Sequence, residues 1–153
     1  MFIQIQLLIQ YIIILIAIIA VIVARKELKR FIPVGLFASL YANILCYVAN
    51  YLILWEFPVR VLPGVRDISF TANVVVVPVL AMFWVKYSPM SRIKWAFLWT
   101  TILTGIEYLT ERYTGIITYH NGYDWYCSYI LWLISWYIWY SFHKWFYKDE
   151  EPH

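Results

Sequence analysis

Polar residues along this chain are sparse and clumped, and the apolar runs between the clumps define the expected elements. Five runs stand out, at about residues 5–24, 31–55, 69–85, 95–115 and 125–145. The breaks between them, RKELKR, EFPVRVLPGVRD, KYSPMSRIK and YHNGYD, are polar or proline-bearing. Crossing a hydrocarbon core takes roughly 20 apolar residues in a helix. A lone span in lipid must also satisfy its own backbone hydrogen bonds, which makes each run helical. The pattern therefore predicts an all-α, polytopic membrane protein, one domain over residues 1–153 folded as a five-transmembrane-helix bundle. Pro78 lies inside the third run, where it predicts a kink. Pro58, Pro63-Gly64 and Asn121-Gly122 carry ordinary turn chemistry.

The first run has no basic residue before it and Arg25, Lys26, Lys29 and Arg30 after it. A secretory leader shows the reverse order, so this run reads as a retained span. Composition agrees, with 63% of residues hydrophobic, 21% aromatic and 14% charged. A soluble domain carries about 25% charged residues, so polar side chains are too few here to coat a water-facing surface.

The net charge of +3 is explained by where the basic residues fall, and it points to no nucleic-acid partner. With the first helix exiting into the cytoplasm, the inner segments hold Arg25, Lys26, Lys29, Arg30, Lys86, Arg92, Lys94, Lys144 and Lys148. The outer segments hold Arg60, Arg66 and Arg112. Nine and three make up the 12 Lys and Arg of the chain, a positive-inside bias that sets the N-terminus outside and the C-terminus in the cytoplasm. Dropping the third span would move Lys86, Arg92 and Lys94 outside and erase most of the asymmetry. Trp55, Trp95, Trp125 and Trp145 fall where helices should cross an interface. RKELKR acts as an orientation signal and suits anionic lipid head groups. The Trp- and Tyr-rich fifth run is a packing surface or a stacking wall for a flat ligand.

Two spans carry polar stripes. On a helical wheel at about 100° per residue, Thr100, Thr104, Glu107, Glu111, Thr114 and Thr118 of the fourth run share one narrow arc. Gly35, Ser39, Asn43, Cys46 and Asn50 do the same in the second. Polar faces avoid lipid and small residues let helices approach, which predicts that the two stripes face each other across the bundle. The first span packs outside them, with Gln4, Gln6 and Gln10 near its outer end. Glu56, Arg60, Arg66, Asp67, Asn73, Arg112, His120 and Asp124 gather on the outer side. A polar pocket that opens outward and is floored by apolar side chains is the expected result. A carboxylate inside a membrane normally faces the interior with a partner, and Arg60 and Arg66 are better placed than Arg112 to pair with Glu107. Three roles follow for Glu107 and Glu111: a structural acid–arginine network, a site for a cation or proton, or a pocket for a polar-headed ligand.

The usual catalytic and metal signatures are missing. His120 and His143 fall on opposite faces, which disfavours a His-based metal or haem site. No H-E-x-x-H, G-x-S-x-G, P-loop or C-x-x-C occurs, and no cofactor is implied. Cys46 and Cys127 lie at different depths, against a disulfide between them.

Four segments, WEFPVR (55–60), ISFTANVVVVPVLAMF (68–83), GIEYLTERYTGIITY (105–119) and YDWYCSYILWLISWYI (123–138), resemble an uncharacterised family of small multi-span membrane proteins from endospore-forming Gram-positive bacteria. The likeness runs in order over most of the chain after the first span. It implies a bacterial plasma membrane, with a sporulation or spore setting among its contexts, and brings no activity, cofactor or catalytic residue. The family's E-aromatic-P-V-R and E-R-Y-T elements fall on Glu56, Pro58, Arg60, Glu111, Arg112, Tyr113 and Thr114. Taken together, the expected function is that of a non-enzymatic assembly or accessory subunit with an outward-facing polar network. The alternative is an ion, proton or small-ligand binder or carrier using Glu107 and Glu111. The expected partners are membrane lipid and other membrane proteins or a second copy of the chain.

Overall fold

The computed structural model describes residues 2–88 and 92–148. The predicted break at 86–94 lies partly outside the described residues, as does His153. The elements run in the order α1 (Phe2–Val23), α2 (Arg25–Leu28), a 3-10 turn (Lys29–Phe31), α3 (Ile32–Tyr51), β1 (Trp55–Glu56), a π-helical segment (Phe70–Val76), α4 (Val77–Tyr87), α5 (Arg92–Tyr113), β2 (Thr118–Tyr119) and α6 (Trp125–Phe146). Three helical stretches, Phe2–Val23, Arg25–Tyr51 and Phe70–Tyr87, are long and apolar enough to cross a membrane. Helices α5 and α6 are of comparable length but more polar. Arg92, Lys94, Glu107, Glu111 and Arg112 dilute α5, and α6 is built largely of Trp, Tyr and Ser.

Helix α1 has an inside-out distribution. Its buried residues are Gln6, Gln10 and Ala17; Gln10 is 2% exposed whereas Leu8 is 57% exposed. In water this arrangement would waste most of the helix's apolar surface. Against hydrocarbon it is the arrangement expected, since apolar side chains lose nothing there and polar ones need protein partners.

The bundle is held at both ends by cross-links between distant segments. At one end β1 pairs antiparallel with β2, Trp55 opposite Tyr119 and Glu56 opposite Thr118. There the His120 amide donates to the Leu54 carbonyl and the Val59 amide to that of Gly115. At the other end Lys86 Nζ lies 2.6 Å from Glu27, the Tyr147 hydroxyl donates to the Arg30 carbonyl, and Phe31 stacks on His143. The long helices therefore run alternately up and down, and the strand-paired end is the one assigned to the outside from sequence. This strand pairing was not visible in the spacing of apolar residues.

Helix α3 lies along α4 and the π-helical segment, α5 lies along α6, and α6 reaches across to α3 and α4. The second and fourth spans do not pack directly on one another: α6 contacts both, and Cys46 of α3 and Glu107 of α5 meet only across a cavity that both helices line. The stripe of α3 instead meets the third span. Ser39 donates to the Asn73 carbonyl, the Asn73 side-chain amide donates to Asn43, and Gly35 presses against Met82. Stripe periodicity fixes which face turns inward without fixing the partner.

Where a kink is expected at Pro78, the helix carries a π-helical segment immediately upstream of it. The Val77 amide bonds the carbonyl of Ala72, five residues back, the spacing that defines a π-helix. Proline lacks an N–H and its ring crowds the carbonyl four residues earlier, so the widened turn takes up the mismatch. The second span ends sooner than expected, at Tyr51. There the Leu54 amide returns to the Ala49 carbonyl and Ile53 adopts φ 53°, a left-handed helix end of the kind glycine usually supplies. Around the middle and the other end, Trp84, Trp136 and Trp139 form the core with Val34, Ala38, Ala81 and Ala96.

Candidate functional site

Glu107 sits on the inward face of α5, the face that also buries Ala96, Thr100 and Thr104. Its carboxylate is held by three donors. The Tyr119 hydroxyl lies 2.6 Å from Oε1, the Ser128 hydroxyl 2.7 Å from the same oxygen, and Trp132 Nε1 3.0 Å from Oε2. Ser128 and Trp132 are one turn apart on α6, and Tyr119 comes from β2, so this one side chain ties three segments together. Tyr123 extends the network, its hydroxyl 2.8 Å from that of Ser128. Burial, with the nearby Glu107 charge behind it, pushes the Tyr119 hydroxyl far above the ordinary phenol range. Burial pushes Tyr123 up as well. Both phenols stay protonated at neutral pH, so Tyr119 remains a donor to the carboxylate.

The expected arginine partners are not there. Arg60 Nη1 donates to the Val65 carbonyl in its own loop, and Arg66 and Arg112 are exposed and make no ion pair among the described residues. Hydroxyl and indole donors replace them. Charge inventory could not reveal this, because Ser and Trp draw no attention in an apolar run. A usable signal did exist in α6: Ser128, Trp132, Ser135 and Trp139 share one face, and Ser128, Ser135 and Trp139 are buried.

Beside Glu107 lies a partly open cavity of about 300 Å³. Its polar lining includes Gln10, Ser69, Thr71, Asn73, Glu107 and Ser128, and apolar residues such as Val77, Leu80 and Trp139 also line it. Several of these polar groups and their neighbours are already hydrogen-bonded within the protein. Thr71 donates to Gln10 Oε1, Gln10 Nε2 donates to the Val59 carbonyl, and the Gly115 amide donates to Gln6 Oε1. At the strand-paired end, Phe57 and Ile117 are buried against Cys46 and form part of the cavity wall. A second groove of about 530 Å³ runs between α1, α4 and α5 past Trp95 and Trp99. It shares Ile13, Val76 and Leu80 with the cavity.

The remaining residues singled out from sequence scatter. Glu111 is half-buried, outside the cavity lining, and unbonded among the described residues. Thr104 is buried with its hydroxyl unpartnered among the described residues. Glu56 meets His120 at 3.1 Å on the surface, Asn50 donates to Asp67, and Asp124 caps α6. Thr114 and Thr118 fall beyond the end of α5 and leave its stripe. Gln6, Gln10, Thr71 and Asn73 are the polar groups whose central position only the packing discloses. No family model, curated protein or solved structure matches the chain.

Proposed function

We propose that this protein is a five-span membrane protein of a bacterial plasma membrane, N-terminus outside, that binds a small molecule in its interior against Glu107. The observation that carries this reading is the cavity itself: about 300 Å³ of mostly apolar lining, with Glu107 the one carboxylate on its wall. Ligand sites are typically apolar hollows with a few fixed polar groups that orient the guest. Here the orienting group is held rigidly by donors from β2 and α6. The up-and-down course of five long helices and the basic residues at one end support the topology.

A thermal-shift screen of the detergent-purified protein against chemically diverse small amphiphiles tests the binding reading. Wild type should be stabilised by one class, and Glu107→Gln should keep its fold while losing that response. A screen with no response, joined to a large loss of stability in Glu107→Gln, would leave the carboxylate a purely structural bolt. That second reading, an accessory subunit with a structural network, is favoured by one observation. All three donors to Glu107 belong to the protein's own segments.

A further inference from the structure

We infer that the Glu107 cavity is a site for a small lipophilic ammonium ion, an organic cation with one charged pole and an apolar body. This rests on the reading above that the cavity holds a ligand, and it names the chemistry of that ligand. The carboxylate offers about four lone-pair positions, and three are taken: two at Oε1 by Tyr119 and Ser128, one at Oε2 by Trp132. An acceptor position therefore remains at Oε2. Glu107 makes no ion pair among the described residues, whereas a charge in a bilayer interior is normally paired. A guest that carries an N–H donor and a positive charge supplies both missing elements.

The surrounding side chains favour the same guest. Trp55, Phe57, Tyr123 and Trp132 line the cavity along with Glu107, and aromatic faces attract a desolvated cation by about 0.5–2 kcal/mol each. Beyond them the wall is mainly aliphatic, which accepts an apolar body. Gln10, Thr71 and Asn73 have their side chains committed to internal hydrogen bonds, so a second polar group on the guest finds little to bond. An anion would face Glu107 without a counter-charge. A neutral alcohol fills the hydrogen bond and leaves the charge uncompensated. Helices α1 and α5 make no extended contact with one another, and Ile9, Ile13, Leu103 and Ile106 form the wall between them. An amphiphilic cation dissolved in the bilayer can reach the cavity through that seam.

Isothermal titration of the full chain in detergent at neutral pH and constant ionic strength decides the matter, with three probes of similar shape: 2-phenylethylammonium, 2-phenylethanol and 3-phenylpropanoate. The ammonium should bind one per chain, at least about tenfold more tightly than the alcohol, and the carboxylate probe should not bind. Glu107→Gln should bring the ammonium down to the affinity of the alcohol. Equal or better binding of the alcohol, binding of the carboxylate probe, or an undiminished preference in Glu107→Gln each overturns the cation assignment while leaving a ligand cavity in place. No binding of the ammonium to wild type also overturns it. The broader reading falls with it only if the amphiphile screen is blank as well. The comparison of probes on wild type decides the inference even if the variant fails to fold.

Discussion

At the scale of the residue, the decisive feature is that a half-buried carboxylate within the helix bundle is satisfied by neutral donors. Hydrogen bonds to a charged group contribute about 1.5–3 kcal/mol each, and removing one partner leaves the other unsatisfied. Tyr119→Phe and Ser128→Ala should each lower the unfolding temperature in detergent, with a loss of about 1–3 kcal/mol. Tyr108→Phe, an exposed change on the same helix as Glu107, should leave that temperature within the scatter of wild type. The two losses should not add, because both hydroxyls act on Oε1 of one side chain. Additive losses would show that the donors work independently and that the cluster is no unit.

At the scale of the element, two contacts test how the helices were fitted together. A Cβ built on Gly35 comes within 3.0 Å of Met82 Cγ and 3.4 Å of the Pro78 carbonyl oxygen. Gly35→Ala should be tolerated, since the unbranched Met82 side chain can give way and alanine favours the helix. Gly35→Val adds bulk that the Pro78 backbone cannot avoid and should lower the unfolding temperature clearly. At the other end of α3, Ile53 occupies the left-handed region at φ 53° with its side chain largely exposed. The left-handed conformation costs an L-residue roughly 1–2 kcal/mol, so Ile53→Gly should raise the unfolding temperature by the part of that cost not lost to unfolded-state entropy. A fall in stability would mean that Ile53 packs on something outside the chain.

At the scale of the whole molecule, orientation is the testable quantity. In a Cys127→Ser background, Cys46 being buried, a cysteine introduced at exposed Gly64 should react with an impermeant maleimide added to intact cells. One introduced at Lys148 should react only after the membrane is opened. Reversed labelling would invert the assignment of the basic end to the cytoplasm, and labelling of both from outside would remove the five-span topology. The two ends differ in chemistry as well. The strand-paired end is knitted by backbone and amide hydrogen bonds, whereas the basic end relies on the Glu27–Lys86 pair and on Arg92 stacked 3.5 Å above Tyr140.

Apolar periodicity alone determined that the chain is helical, roughly where its long helices lie, and which face of α5 turns inward, because burial of backbone polar groups and the avoidance of lipid by carboxylates are local demands. Sequence also drew Glu107 out as the side chain with the most unusual chemistry. Which partners meet it was decided only by tertiary structure. Tyr119, Ser128 and Trp132 approach Glu107 from 12 to 25 positions along the chain, and although Ser128 and Trp132 share a face of α6, nothing local assigns that face to a carboxylate. The same holds for the β1–β2 pairing beside the cavity and for α6 contacting both α3 and α5. A stripe on a helix states that a face must be covered; the cover depends on how five helices of given length and bulk share one volume.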